Sequence, residues 1–113
     1  MIELVIKNYL DEAIDCPVYL EHPSNPPEEY IIFEKTGSTC SNFVESATIA
    51  FQSYSTSLFK ACQLNDKVKK TVDNMISLNE ISGVHLIGDY NFTDTTTKKY
   101  RYQAVYQLNI WEG

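Results

Sequence analysis

The last twelve residues before the C-terminal pair, Tyr100 to Trp111, place Tyr100, Tyr102, Ala104, Tyr106, Leu108 and Ile110 at every second position. Arg101, Gln103, Gln107 and Asn109 dominate the positions between them. A period of two is a strand with one face turned to a core and the other to water. Such a strand needs neighbours in a sheet and a layer over its apolar face, so the rest of the chain must supply both. Residues 2–14 can supply part of the cover. Ile2, Val5, Ile6, Tyr9, Leu10, Ala13 and Ile14 recur at steps of three and four, with Glu3, Lys7, Asp11 and Glu12 on the other side, which predicts an amphipathic helix ending before Pro17.

Val18-Tyr19-Leu20 reads as a short strand. His22 to Glu29, HPSNPPEE, holds three of the four prolines and can be neither helix nor central strand, so it is expected to be an exposed, stiff connector. Tyr30 to Thr36 is the next strand, and Gly37 to Asn42, GSTCSN, has turn chemistry. From Phe43 to about Tyr54, the apolar residues Phe43, Ala47, Ile49 and Phe51 alternate with Ser46, Thr48 and Gln52, and Glu45 is expected at a rim. Ser55, Thr56 and Ser57 offer caps to a second helix over about Leu58 to Leu78, with Leu58, Ala61, Cys62, Leu64, Val68, Val72, Met75 and Ile76 as its apolar stripe. Ile81 to Phe92 reads as a strand kinked at Gly83 or Gly88, and Thr93 to Lys99 as a polar hairpin connection. The expected order is α-β-β-β-α-β-β. The fold class is α+β, a mainly antiparallel sheet with two helices on one face.

The 113 residues make one domain, with 43% apolar and 21% charged residues, as in an ordinary globular chain. The net charge of −6 argues against a domain built to grip nucleic-acid phosphates. It is unevenly spread: residues 1–34 hold eight acids against one base, and residues 35–113 seven acids against eight bases. A basic partner would be steered to the acidic third, and copies of the chain could meet acidic patch to basic patch. No signal peptide is expected, because the opening MIELVIK has an acid within its apolar stretch, and no run approaches a membrane span. Cys16, Cys40 and Cys62 are odd in number and widely spaced, which fits small apolar fillers in a reducing compartment.

Catalytic chemistry finds little to work with. His22 sits in the connector, and His85 in a strand where it could share a face with Asp89. A solvent-facing strand histidine is the commoner case. No GxSxG, SxxK, CxxC, GxGxxG or P-loop string occurs, and neither histidine has a helical metal-pair partner. Glu28-Glu29 and Asp89 with Asp94 are carboxylate pairs that an acidic chain produces by chance. The sequon Asn91-Phe92-Thr93 has no meaning without secretion. Eight tyrosines are many for this length; Tyr100, Tyr102 and Tyr106, with Tyr90 across the hairpin, suit core packing first, a subunit interface second and a nucleobase platform last. No enzyme, cofactor or metal site is therefore expected, and an interaction or assembly protein is.

Three strings, PPEEYIIFEKTG from Pro26, ATIAFQSYS from Ala47 and YNFTDTTTKKYRYQAVY from Tyr90, together with the element order, resemble the neck or tail-completion proteins of long-tailed bacteriophages and prophages of Gram-positive bacteria. Within that group the chain looks most like the tail terminators, and the resemblance covers nearly its whole length. It implies a sheet flanked by two helices, assembly as a ring, commonly a hexamer, on the finished tail tube, and a surface for the head's connector. It implies the tail tube protein and the head connector protein as partners, DNA passing through the bore without specific binding, and a place in the neck of the virion after assembly in the host cytoplasm. The ring contact is expected where the basic hairpin end, Lys98, Lys99 and Arg101, meets acids such as Glu28 and Glu29. The connector Pro23 to Pro27 and the loop Thr93 to Thr97, with Asp94, are expected to reach neighbouring proteins. The alternatives are a head-closure or other connector component, and, in a different class, a small-ligand or peptide-binding domain or an enzyme with a cryptic pocket.

Overall fold

The computed structural model describes residues 1–97 and 99–111. Among them, the elements follow the expected order: α1 (Ile2–Ala13), β1 (Val18–Tyr19), β2 (Tyr30–Ser41), β3 (Val44–Ser55), α2 (Leu58–Asp73), a 3-10 turn (Asn74–Ser77), β4 (Ile81–Asn91) and β5 (Tyr100–Trp111). The strands form one sheet in the order β1-β2-β3-β5-β4, antiparallel throughout except for the β1–β2 pair. The class is α+β. No helix among the described residues is long and apolar enough to cross a membrane.

Both helices lie on one face of the sheet. Ile2, Ile6 and Leu10 of α1 and Leu64, Val68 and Val72 of α2 meet Ile31 and Phe33 of β2, Ile49 and Phe51 of β3, and Tyr106 and Leu108 of β5 in a single buried cluster. The alternation along β5 places Ala104, Tyr106, Leu108 and Ile110 in that cluster, as a one-sided strand must, whereas Tyr102 is half-buried and Tyr100 exposed at the strand's start. Ser57 caps α2 by accepting the Lys60 backbone N–H at 3.1 Å. The opposite face carries no helix. There Tyr30, Ile32 and Tyr54 form a second, smaller cluster, with the Tyr30 and Tyr54 rings stacked at 4.6 Å.

The connector has a structural task. Parallel pairing of β1 with β2 requires the chain to return across the sheet, and residues 20–29 do so over the helix-free face, where the His22 ring sits 5.3 Å from that of Tyr54. Its prolines suit a strap that needs no ladder hydrogen bonds.

Several expectations are corrected. Gly37 to Ser41 is strand, and the turn is only Asn42-Phe43, both at positive φ (51° and 66°). The small polar residues that signal a turn sit here in a strand, because β3 is long enough to pair with all of them through Ser41↔Val44. Phe43 is accordingly at the hairpin tip and 70% exposed, not on the buried face of β3. The stripe of α2 is shorter than expected. Its regular helix ends at Asp73, and the tighter 3-10 pitch beyond it turns Ile76 outward while Met75 stays buried. Leu58 is also exposed, and Cys62 is only half-buried. Asn65 takes a core position instead, its amide donating to Asp89 at 3.0 Å.

Register shifts occur in β4 at both glycine regions, between Ile81 and Gly83 and between Leu86 and Gly88. The second turns Asp89 to the helix side, where it also accepts from Lys69 at 2.7 Å. His85, opposite Gln107, is left on the other face, so the two do not share one. Tyr90 likewise faces away from Tyr100, Tyr102 and Tyr106: it pairs with Gln103 across the ladder, and its hydroxyl accepts from the Gln103 amide at 2.6 Å. The four tyrosines do not form one platform.

Candidate docking surfaces

Six residues are singled out by the sequence: Glu28, Glu29, Asp94, Lys98, Lys99 and Arg101. Lys98 lies outside the described residues. The other five gather at one end of the sheet, where β2 begins, β3 ends and β5 begins. Glu28 and Lys99 line one cleft of about 310 Å³ with Tyr30, Tyr54 and Tyr100. Asp94, Lys99 and Arg101 line the next, of about 270 Å³, with His22 and Pro23 of the strap. Acids and bases expected to meet between subunits are thus neighbours within one chain. A head-to-tail ring needs contacts on different sides of the subunit, and this end supplies only one side.

Three of the five are spent on the fold itself. The Arg101 guanidinium lies 4.2 Å from the centre of the Phe92 ring, donates from Nε to the Phe92 carbonyl, and donates to the Tyr54 hydroxyl at 3.0 Å. Glu29 accepts from the Ser55 hydroxyl at 2.9 Å. Asp94 closes its own turn, accepting the Thr96 backbone N–H at 2.9 Å and facing Lys99 across a single bridge. Glu28 and Lys99 make no side-chain hydrogen bond or ion pair among the described residues, and they remain available to a partner.

The Asp94 carboxyl is held below the usual aspartate value of 3.8, first by the Thr97 side chain and then by the Thr96 and Thr97 backbone amides. A carboxylate with a lowered pKa supports its structure above the unfolded value and loses that support as pH falls through the folded one. The 93–99 loop is therefore expected to be closed at neutral pH and to loosen in acid below pH 3.8. Amide resonances of Thr96 and Thr97 followed by NMR should move together in that range, and should stay fixed in Asp94→Asn.

A polar chain joins this end to the middle of the helix-free face. The Tyr54 hydroxyl lies 3.3 Å from His22 Nε2 and donates to Gln52 at 3.2 Å; the Gln52 amide donates to Gln103 at 2.9 Å. Both glutamines are buried although no helix covers them. Their amide dipoles are satisfied sideways along the sheet. Sequence reasoning places these residues on the solvent side, and only the ladder register shows that they meet each other.

The opposite end exposes large apolar groups. Phe43 at the tip is 70% exposed, and Trp111, which pairs across the ladder with Val44, is 56% exposed. The start of α1 belongs to this end, because Lys35 reaches both Glu45 of β3 at 3.2 Å and Glu3 of α1 at 3.5 Å. Met1 and Leu4 are exposed there too. Thr36 to Val44 contains no charged residue in a chain where charges are a fifth of the total.

Among the described residues, no group of three His, Cys, Asp or Glu side chains could hold a metal ion. The Cys16 thiol lines a cleft between α1 and α2, and burial, with Glu29 beside it, pushes its pKa up to about 11, so it stays protonated at neutral pH. Comparison with models of known protein families and with curated protein sequences finds no match.

Proposed function

We propose that the chain is a structural neck protein of a long-tailed phage or prophage, which caps the tail tube as a ring, ends its polymerisation and offers a seat to the head's connector. The observation that carries this reading is the unlike chemistry of the two ends of an elongated molecule of 43 × 25 × 24 Å. One end is charged, with Glu28, Lys99 and the strap; the other presents the exposed aromatic rings of Phe43 and Trp111, and the charges near it, Lys35, Glu3 and Glu45, are paired with one another. A terminator needs two such ends, because it must stop one polymer and accept a different partner on its far side. Large exposed apolar groups at an end suit a contact made once and kept. The α+β sheet with two helices on one face agrees with the fold the resemblance implies. The virion neck is the corresponding location, and DNA would cross the bore without specific contacts.

Deletion of the gene from an inducible prophage, followed by electron microscopy, tests the reading. Separated heads and tails, with overlong tubes among them, are expected. DNA-poor heads beside tails of normal length would assign a head-closure role instead, and normal particles would reject both.

A further inference from the structure

We propose that copies of the chain join through their sheets: the free edge of β2, Gly37–Ser41, adds to the free edge of β4, Gly83–Leu86, of a second copy. This rests on the ring reading above and names the contact between its subunits. β1 pairs only with Ile31 and Ile32, so among the described residues β2 has a neighbour on one side alone from Phe33 onward. Among the described residues, β4 has β5 on one side and no strand on the other. Two rows of backbone N–H and C=O groups are thus left bare at opposite borders of one sheet. Exposed edges are ordinarily guarded by Lys, Pro or another charge. Here Thr36–Val44 has no charged residue and no proline, and Ile81–Gly88 has none either, with His85 as its only titratable side chain. In a chain of net charge −6, these are the two borders where like-charge repulsion does not oppose a second copy.

Direction and register agree. Each step from β2 through β3 and β5 to β4 is antiparallel, so β4 runs opposite to β2. A second copy added in the same orientation places its β2 antiparallel to β4, which is the stronger ladder. The register shifts at Lys35/Gly37 and Leu86/Gly88 interrupt each edge and confine pairing to the regular stretches named above, which fixes how the copies align. Leu86 and Ile87, 48% and 60% exposed on the edge strand, come to lie beside the joint. The contact uses unlike edges, so it repeats head to tail and leaves no edge bare once a ring closes.

The test compares two double variants of the full chain by sedimentation. Thr39 and His85 are both exposed on the helix-free face, one on each edge, so neither substitution should disturb folding, which thermal melts would verify. Thr39→Lys with His85→Lys sets like charges across the joint, and Thr39→Lys with His85→Glu sets opposite ones. The first is expected to need about tenfold more protein to associate than wild type, and the second to return to within about threefold of it. Equal association of both variants overturns the proposal, as does a wild type that stops at two copies. If the isolated chain is monomeric, the same variants are scored by rescue of the deleted prophage: the Lys/Glu pair should restore joined particles and the Lys/Lys pair should not, and rescue by both, or by neither, overturns the joint. A prophage that needs no rescue defeats the neck reading itself, so the two failures are distinguishable.

Discussion

Replacing Phe43 by glycine is expected to make the isolated chain more stable and its assembly weaker. The two-residue turn Asn42-Phe43 has both φ angles positive, the geometry in which Asn-Gly is the favoured pair. A side chain in the left-handed region costs about 1–2 kcal/mol, and glycine escapes most of it. Phe43 recovers little of that cost inside the chain, since it is 70% exposed at the tip. Phe43→Gly should therefore raise the melting temperature by roughly 4–8 °C. The same change removes the largest apolar group from the end assigned to a partner, and it should abolish or strongly reduce complementation of the deleted prophage. A loss of stability would mean that the ring packs against its own chain. Full complementation would remove the aromatic end from the docking surfaces. A residue that breaks a local rule with no gain to the monomer is best explained by a gain elsewhere.

Phe51→Ala is expected to have the largest effect on folding. Phe51 is fully buried in the central strand β3, 6.1 Å from the Phe33 ring and 5.8 Å edge-on from that of Tyr106. Truncation of such a side chain costs about 3–5 kcal/mol through lost burial and the cavity left behind, against a total stability of about 5–15 kcal/mol for a domain. The melting temperature should fall by roughly 15 °C or more. Phe59→Ala is the control: Phe59 is 72% exposed on α2, and its loss should shift the midpoint by no more than about 3 °C. Equal melting of the two variants would show that the core is not centred on β3.

The architecture was legible wherever a period ran long enough. The alternation of Ala104, Tyr106, Leu108 and Ile110 and the helical spacing of Ile2, Ile6 and Leu10 each specify a buried face, and those faces meet in one cluster. Local composition misled where tertiary pairing overrode it. Gly37 to Ser41 is made of turn residues, yet β3 holds it in register as strand. The glycines marked where β4 is irregular, but not which side chains the irregularity turns: the shift between Leu86 and Gly88 reverses the facing of Asp89 and Tyr90, and with it the supposed His85–Asp89 and tyrosine groupings. For the docking residues, charge type and position along the chain were readable, but not that Glu28 and Glu29 lie beside Lys99 and Arg101 within one chain, which strand order decides. Their engagement was not. Whether Arg101 is free or stacked on Phe92, and whether Glu29 is free or bonded to Ser55, depends on contacts between segments far apart in sequence. The bare edges of β2 and β4 follow from strand order, which no local pattern encodes.

The central claim is that the protein works at the junction between tail tube and head. Its most direct test is to locate the protein on intact particles, using a C-terminal tag and gold-conjugated antibody in electron microscopy of the complemented prophage. Label confined to the head–tail junction is the expected result. Label along the tube or over the head shell, or particles that carry none, would contradict it.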